Sequence, residues 1–243
     1  METPQISVIT VCFNAADSIE RTIDSVVNQS CHNIEYIIVD GGSSDGTQNV
    51  IKKYKDCIDF WISEPDKGIY DAMNKGIRFA SGKWILFLNS GDVFYDNSVL
   101  KNVSGVLKKQ NTVYYGDVIL TPQNIRFGGK YNKWKLSTGN ICHQSIFYPR
   151  VAFQKYMFIT KYRLYADWVL NVMFMGDDAI HFKHIPVVVA LYDTNGTSSS
   201  GDDAFLYRDR FAIVRKYLGI PYLLYMSVRN FIHNLRSKDL FES

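Results

Sequence analysis

The feature that most constrains this chain is an apolar run that ends in a polar turn. Trp84–Leu88 is uninterrupted by any polar residue, and Asn89-Ser90-Gly91-Asp92 follows at once. An apolar run of this length, closed by turn residues, is typical of a strand buried on both faces of a sheet. The turn then lies at the carboxyl end of that strand, where open α/β sheets bind ligands. Residues 83–92 therefore predict both the interior of the fold and the place of its site.

Three similar runs precede this one, at Ile6–Phe13, Ile34–Val39 and Phe60–Ser63, and segments with helical periodicity separate them. This alternation is typical of right-handed βαβ units, so we expect an α/β fold with a Rossmann-like, mostly parallel sheet flanked by helices. Beyond Asp92 the pattern predicts helices near 98–109, 166–175, 204–218 and 222–236, strands near 113–120, 125–129, 141–149 and 181–192, and a loop at 195–203.

Length and composition narrow the class of protein. A chain of 243 residues with 47% apolar side chains can bury a sizeable core. No apolar run approaches the length that spans a bilayer, the N-terminus lacks the basic start of a signal peptide, and the four cysteines lack C-x-x-C spacing. We therefore expect a cytoplasmic protein with reduced thiols. The basic excess is confined to residues 208–243, with a net charge of +4, which is too small a patch to indicate a nucleic-acid binder.

An acidic residue follows the second buried strand. Asp40 precedes a Gly-Gly turn, and a carboxylate in this place often bonds the ribose or base of a nucleoside. The alternative is a turn aspartate that bonds its own backbone. The first strand is followed by Phe13-Asn14-Ala15-Ala16, without the G-x-G-x-x-G of dinucleotide enzymes, which argues against a Rossmann dehydrogenase.

Asp92 is the candidate metal ligand. Mg²⁺ or Mn²⁺ bridging a diphosphate needs one or two protein carboxylates, since phosphates and water supply the remaining oxygens. Asn89 offers a neutral oxygen three residues earlier. An N-cap or turn role for Asp92 remains open.

Two later residues are candidates for proton transfer. Asp167 opens a predicted helix next to Trp168, whose indole would exclude water from a general base, although a helix N-cap is the alternative. His143, beside Gln144, is either a site residue or a hydrogen-bonded core histidine.

Taken together, these segments resemble the family 2 glycosyltransferases of GT-A fold. The resemblance is dense over residues 6–100, and Cys142-His143-Gln144 and Ala166-Asp167-Trp168 are similar to acceptor-side motifs of enzymes that build bacterial surface polysaccharides, such as lipopolysaccharide O-antigen, capsule and exopolysaccharide. The matching segments of the first half are Ser7–Asn14, Val39–Thr47, Glu64–Gly76, Ala80–Trp84 and Phe87–Asp92.

The resemblance implies an inverting transfer from a nucleotide diphosphate sugar, with a UDP-sugar favoured, to a hydroxyl of a glycan or undecaprenyl-linked acceptor. It implies Asp167 as the catalytic base and Asp92 as the ligand of Mg²⁺ or Mn²⁺. It also implies that Asp40 bonds the nucleobase of the donor. The residues it implies around the nucleotide sugar are Val11, Phe13, Asn14, Asp40, Gly42, Lys67, Asp71, Asn74, Ser90, Gly91, His143 and Gln144.

The chain departs from the family pattern at two positions. Asn89 stands where the first aspartate of the metal motif is usual, and Met73 stands where many members aim an arginine at the diphosphate. Lys67, Lys75 or the metal would then have to neutralise that charge. These departures keep open a nucleotide-sugar-binding protein without turnover, while the missing glycine fingerprint disfavours a nucleotide-sugar oxidoreductase or epimerase.

We expect a catalytic domain over residues 1–203, divided into a nucleotide-sugar half (1–100) and an acceptor half (101–203). Residues 204–243 are then two amphipathic helices, rich in aromatic and basic side chains. Such helices lie on anionic membrane surfaces, which would place the protein on the inner face of the cytoplasmic membrane. The alternative is that they simply pack on the domain.

Overall fold

The structure is a computed structural model that describes residues 3–194 and 203–239, with side chains to residue 232. Its sheet runs in the order β3-β2-β1-β4-β8-β6-β9-β5, with β7 paired to β6. The strands are β1 (Ile6–Cys12), β2 (Ile34–Asp40), β3 (Phe60–Ser63), β4 (Trp84–Phe87), β5 (Val93–Phe94), β6 (Thr112–Thr121), β7 (Ile125–Phe127), β8 (Ile146–Pro149) and β9 (His181–Asp193). The helices are α1 (Ile19–Val27), α2 (Thr47–Lys53), α3 (Ile69–Phe79), α4 (Val99–Ser104), α5 (Lys133–Thr138), α6 (Ala166–Gly176), α7 (Ala204–Tyr217) and α8 (Ile220–Asp239).

The first half of the sheet is parallel, as the alternation of strands and helices predicts. β1 pairs with β2 and β4, and β2 pairs with β3, all in parallel. β1 and β4 are buried along their whole length because helices cover both faces of the sheet. The carboxyl ends of β1, β2 and β4 therefore meet at one edge, where the polar turn after β4 also lies.

The second half of the sheet is mixed. β8 runs antiparallel to β4 and to β6, whereas β9 runs parallel to β6 and antiparallel to β5. The α/β fold class is confirmed, and parallel order is limited to the β1–β4 block and the β6–β9 pair. Short antiparallel strands such as β5 carry too few residues for their periodicity to be visible in the sequence.

Apolar side chains fill both sides of the sheet. One cluster lies under α3, α5, α6 and the C-terminal helices, and the other lies under α1, α2 and α4. Tyr148 and Phe174 are fully buried in the first cluster, and Trp84 and Tyr36 are buried in the second.

The C-terminal helices pack on the first of these clusters through their inner faces. Ile213 and Val214 of α7 and Met226 of α8 are buried there. Asp203 caps α7, accepting a bond from the Leu206 backbone N–H at 3.1 Å, and its other oxygen accepts from the backbone N–H of Leu164. Packing on the domain thus accounts for one face of each helix. The division at residue 203 stays a prediction, and the predicted loop at 195–203 lies outside the described residues apart from Asp203.

Three local expectations differ from the structure. The helix expected over 98–109 ends at Ser104, before Gly105, and α5 was not anticipated. His143 and Gln144 lie in a 3-10 turn, His143–Ser145, rather than in the strand that follows it. No described helix combines the length and the apolarity needed to cross a membrane.

Candidate active site

The turn after β4 is connected by side-chain hydrogen bonds to the 3-10 turn at His143–Ser145. Asp92 bonds Gln144, and Asn89 bonds His143, so both partners come from residues more than fifty positions away in the sequence. His143 in turn reaches Asp167 at the start of α6. The backbone N–H of Asp92 donates to the Asn89 carbonyl at 3.0 Å, so a continuous polar chain joins the candidate metal ligand to the candidate base.

Asp92 is only 5% exposed and has two hydrogen-bond donors. Gln144 Nε2 donates to one carboxylate oxygen at 3.0 Å, and the backbone N–H of Asp193 donates to the other at 3.2 Å. Burial raises the pKa of Asp92 to about 6, and the bond from Gln144 offsets part of that rise. Because β5 follows Asp92, this residue does not cap a helix. Its environment is that of a buried carboxylate with unused acceptor capacity.

Asn89 fixes the orientation of the His143 ring. Its Nδ2 lies 2.8 Å from His143 Nε2. An amide nitrogen only donates, so Nε2 accepts and the ring proton of the neutral imidazole is on Nδ1. That proton points to Oδ2 of Asp167, 3.4 Å away. Among the described side chains, Asn89 Oδ1 is one of few buried polar atoms without a hydrogen-bond partner.

Asp167 is as buried as Asp92, at 6% exposed, but it has four donors. Tyr70 Oη and the backbone N–H of Trp168 donate to Oδ1, at 3.1 and 2.8 Å. Asn140 Nδ2 donates to Oδ2 at 2.9 Å, and His143 completes the set. The first turn of a helix also stabilises a negative charge. These contacts hold the carboxylate in one orientation, and the N-cap position belongs to Tyr165 instead.

The indole N–H of Trp168 does not bond the Asp167 carboxylate. Its Nε1 donates to the Leu136 carbonyl at 2.8 Å, which ties α6 to α5. Tyr70 is the aromatic side chain that bonds the Asp167 carboxylate, and its single O–H is shared between that carboxylate and the Leu164 carbonyl. Burial raises the pKa of Tyr70 well above its usual value, so this hydroxyl stays protonated and remains a donor.

The turn after β4 fits a divalent cation that takes most of its ligands from a diphosphate. No three His, Cys, Asp or Glu side chains cluster as a metal site among the described residues. Asp92 supplies one carboxylate, and Asn89 Oδ1 supplies an unpartnered buried oxygen three residues away. Carboxylate and amide oxygens are suitable ligands for Mg²⁺ or Mn²⁺, which commonly keeps water and phosphate oxygens as the others.

The expected nucleoside side lies where the loops after β1 and β2 meet. Asn14, with a φ of 47°, accepts from the Ser44 backbone N–H, and its own N–H donates to the Ser43 hydroxyl at 2.7 Å. Asp40 lies beneath them with no exposed surface. Its carboxylate accepts from the Ser43 N–H, the Ser43 and Ser63 hydroxyls and the Cys12 thiol. Asp40 thus fastens its own turn, and its contact with a base stays a prediction.

An exposed aromatic ring stands above that turn. Phe13 is 62% exposed at the end of β1. A side chain at Gly41 would meet the Asp66 carboxylate at 2.4 Å and the Phe13 ring at 3.3 Å, so these groups form a narrow cradle. Gly42 is exposed with a φ of 83°, a conformation that favours glycine. Phe13 and Gly42 are therefore available to a ligand.

The loop that leads into α3 carries other expected contacts. Asp71 accepts from the Lys67 backbone N–H at 3.1 Å, and the exposed Lys67 side chain forms no ion pair among the described residues. Lys75 instead bonds Glu64 Oε1 and the Pro65 carbonyl, each at 2.8 Å, which neutralises its charge. Lys75 thus braces the loop and is a weak replacement for the missing arginine.

Two positions of α3 point into the core. Asn74 is buried, and both atoms of its amide bond the backbone of Phe158, at 2.9 and 3.1 Å. Met73 is fully buried in the first apolar cluster. The structure therefore places Asn74 apart from the group around Asp92 and Asp167, and its contact with a donor stays a prediction.

The remaining expected residues surround the turn after β4. The Val11 carbonyl accepts from the Ser90 N–H at 3.1 Å, so the end of β1 is fixed against that turn. Ser90 Oγ lies 3.0 Å from Ser18 Oγ. Gly91, with a φ of 102°, donates its N–H to Thr22.

Several residues of the site are not predicted from the sequence. Tyr70 and Asn140 bond Asp167, Asp66 flanks Phe13, and Arg21 donates to the Gly91 carbonyl at 2.6 Å and pairs with Asp193 at 3.2 Å. Tyr70 and Asp66 lie inside the segment 64–76 that carries the resemblance, so their position was a usable signal. Arg21 and Asp193 meet across 172 positions, and no local pattern indicates such a contact.

The chain is similar to known glycosyltransferases. A profile described as "Glycosyl transferase family 2" matches residues 7–174. A "PGL/p-HBAD biosynthesis glycosyltransferase" of Mycobacterium tuberculosis is 34% identical over 217 residues, which are 86% of this chain and 85% of the relative. An uncharacterized glycosyltransferase of Rickettsia prowazekii is 28% identical over 75% of this chain and 62% of its own length.

Solved structures show the same fold. The mannosyltransferase PcManGT of Pyrobaculum calidifontis, in complex with GDP-Man and Mn²⁺, superposes with a TM-score of 0.69 at 17% identity, covering 96% of this chain and 71% of that one. S. aureus TarS, residues 1–349 with UDP-GlcNAc, gives 0.67 at 14% identity, covering 88% and 71%. This chain spans 43% of a longer TarS chain. The predicted GT-A architecture is confirmed, and the chain belongs to glycosyl transferase family 2.

Proposed function

We propose that this protein transfers a sugar from a nucleotide diphosphate sugar to an acceptor hydroxyl, with inversion at the anomeric carbon. The observation that carries the proposal is the series of hydrogen bonds from Asp92 through Asn89 and His143 to Asp167, with Gln144 bonded to the Asp92 carboxylate. It places one buried carboxylate that suits a cation at one end and one that suits a base at the other. A base and an electrophile on opposite sides of a sugar suffice for a single displacement.

In this mechanism Asp167 accepts the proton of the acceptor hydroxyl as that oxygen attacks the anomeric carbon. The bond to the nucleoside diphosphate breaks, and the diphosphate leaves with the electron pair. The contact of Asp167 with His143 is its longest, at 3.4 Å, so we expect the hydroxyl to approach Oδ2 there. Tyr70 and Asn140 keep the carboxylate in place while it changes protonation state.

Asp92 and Asn89 Oδ1 are the residues that would hold Mg²⁺ or Mn²⁺. The bound ion would neutralise charge on the departing diphosphate, a Lewis-acid role. Lys67, without an ion pair among the described residues, is the cation of the α3 loop that remains available to a phosphate.

The donor is proposed to be a UDP-sugar. Support comes from the complex of TarS with UDP-GlcNAc, whereas the complex of PcManGT with GDP-Man keeps a guanine nucleotide as the alternative. Phe13, Asn14, Asp40 and Gly42 would surround the nucleoside. Assays with UDP- and GDP-sugars distinguish the two nucleotides.

The acceptor is proposed to be a glycan or a lipid-linked glycan, such as an undecaprenyl-linked intermediate of surface polysaccharide synthesis, used at the inner face of the cytoplasmic membrane. Support comes from the basic excess in residues 208–243 and from the mycobacterial relatives, whose printed name places them in PGL/p-HBAD biosynthesis.

A donor screen tests the proposal. Purified protein would be incubated with UDP- and GDP-sugars, with and without Mn²⁺, and followed by thermal shift, donor hydrolysis and NMR of the anomeric configuration. We expect one donor to raise the melting temperature and to be turned over with inversion. Donor binding without hydrolysis or transfer to any acceptor would instead support a nucleotide-sugar-binding protein. Retention of configuration would contradict the single displacement.

A further inference from the structure

The outer face of α8 is apolar over residues 220–232, the part of the helix whose side chains are described. Its solvent-facing side chains recur at helical spacing and are 43–65% exposed; they are Ile220, Leu224, Val228, Phe231 and Ile232. Within residues 220–232, Arg229 is the only charged side chain, and it donates to the Thr138 hydroxyl beside this arc. Buried Met226 shows that the opposite face packs on the domain. Packing on the domain therefore leaves a contiguous apolar surface in water.

A groove with basic walls adjoins this surface. It has a volume of about 490 Å³ and lies between α7 and α8, lined by Phe211, Ala212, Arg215, Lys216 and Leu223. Arg215 and Lys216 are exposed and form no ion pair among the described side chains. Elsewhere on α7, Arg208 pairs with Asp209 at 2.8 Å. The groove thus offers unpaired cations above an apolar floor.

We propose that α8 and the groove form a docking surface for an anionic lipid bilayer. The apolar arc of α8 enters the boundary between headgroups and acyl chains, and Arg215 and Lys216 bind lipid phosphates at the groove. Amphipathic surfaces with basic margins bind anionic membranes in this way. The proposal rests on the proposed function, because it supplies the means by which a lipid-linked acceptor is reached.

The distribution of charge favours an anionic bilayer over a second copy of the chain as the partner of this surface. Residues 208–243 carry a net charge of +4, whereas residues 1–207 carry −1. A symmetric dimer through α8 would bring two such basic regions together, and their like charges would oppose association. A phosphate-rich surface neutralises them instead.

The docking surface is also connected to the site. Trp134 of α5 is 42% exposed and contacts the rings of Tyr222 and Tyr225 on α8, at 4.5 and 5.3 Å between centroids. Such aromatic side chains favour the membrane–water boundary. The chain leaves α5 towards Asn140, which bonds Asp167. The docking surface is therefore linked to Asp167 through α5 and Asn140.

Vesicle co-sedimentation in the absence of donor tests the proposal. The full chain would be mixed with vesicles of phosphatidylcholine alone or of phosphatidylcholine with phosphatidylglycerol. We expect binding to the anionic vesicles only. The double variant Leu224→Ser/Phe231→Ser should lower partitioning more than about tenfold, because two apolar side chains no longer enter the acyl-chain boundary. Arg215→Gln/Lys216→Gln should lower it about twentyfold and weaken its dependence on salt.

Matched controls separate these effects from general changes. Ile125→Ser removes an exposed apolar side chain on β7, and Lys108→Gln/Lys109→Gln removes two exposed cations after α4; both should bind vesicles like the parent chain. Equal binding by all variants, or a dimer that Leu224→Ser/Phe231→Ser dissociates while vesicle binding is unchanged, would overturn the proposal. Donor hydrolysis in solution is measured separately, so loss of the proposed function is distinguishable from loss of docking.

Discussion

The two ends of the polar chain hold carboxylates that are equally buried but differently supported. Asp92, after β4, has two hydrogen-bond donors and a pKa raised to about 6, whereas Asp167, at the start of α6, has four donors. A buried charge with few donors is costly unless a cation joins it, while a buried charge with many donors is held in place. The difference indicates that Asp92 is built to receive a positive charge and Asp167 is built to present an oriented acceptor for a proton.

Asp167→Asn should have the largest effect. The amide cannot accept a proton, so transfer should fall by roughly 10²- to 10⁴-fold while donor binding stays nearly unchanged. Single-turnover transfer and calorimetric titration of the donor measure the two quantities. Asp177→Asn, which alters a carboxylate paired with Lys155 after the other end of α6, serves as the matched control. Normal transfer by Asp167→Asn would remove it from the mechanism.

Asp92→Asn should affect the metal-binding end of the polar chain that joins Asp92 to Asp167. Loss of the carboxylate should weaken Mn²⁺-dependent donor binding on the order of 10²-fold, since a bound metal contributes several kcal/mol. Binding of the donor without Mn²⁺ should change much less. Calorimetry with and without the ion measures this ratio, and equal losses in both conditions would show that Asp92 does not support a cation.

The same substitution should stabilise the metal-free protein at neutral pH. The pKa of Asp92 is raised from its usual value near 3.9 to about 6, so the folded state binds more protons between these values and stability falls as pH rises through that window. Above pH 6 the ionised carboxylate costs at most on the order of 3 kcal/mol. Asp92→Asn should recover part of it, because the amide nitrogen replaces one of two oxygens that accept hydrogen bonds. Urea unfolding in chelator at pH 4 and pH 7.5 measures it, and the gain should vanish at pH 4.

Asp45 should affect the pH dependence of stability in the opposite direction to Asp92. Bonds from Thr47 and the Ala16 N–H lower the pKa of this exposed carboxylate to about 2. Its contribution is present above its usual pKa and is lost as the pH falls towards 2. Asp45→Asn should therefore destabilise the protein at pH 7.5. If Asp92→Asn and Asp45→Asn shift stability in the same direction, the contrast between unsupported and supported carboxylates fails.

The surroundings of Asp92 and of Asp167 also differ in how well the sequence predicts them. The β1–β4 block follows from apolar runs and turns, because parallel βαβ units leave a strong local pattern. Asp92 and Asp167 were both identified as candidates, yet the contacts that distinguish them were not. Gln144 reaches Asp92 across 52 positions and Tyr70 reaches Asp167 across 97, and such pairings are set by packing of distant elements.

Asn89→Asp tests the comparison between Asp92 and Asp167 at the residue that connects them, and it should have the smallest effect. A second carboxylate near Asp92 should tighten Mn²⁺ binding about tenfold, because ligand charge raises the affinity of oxygen sites. The same change removes the amide N–H that His143 Nε2 accepts, so the ring proton no longer has a fixed direction, and transfer should fall about tenfold. Calorimetry without donor measures the first effect and kcat the second, with Asn89→Ala as the control that should lower transfer without tightening Mn²⁺ binding. If Asn89→Asp leaves the affinity for Mn²⁺ unchanged, Oδ1 of Asn89 does not face the cation, and the chain from Asp92 to Asp167 serves only to position the base.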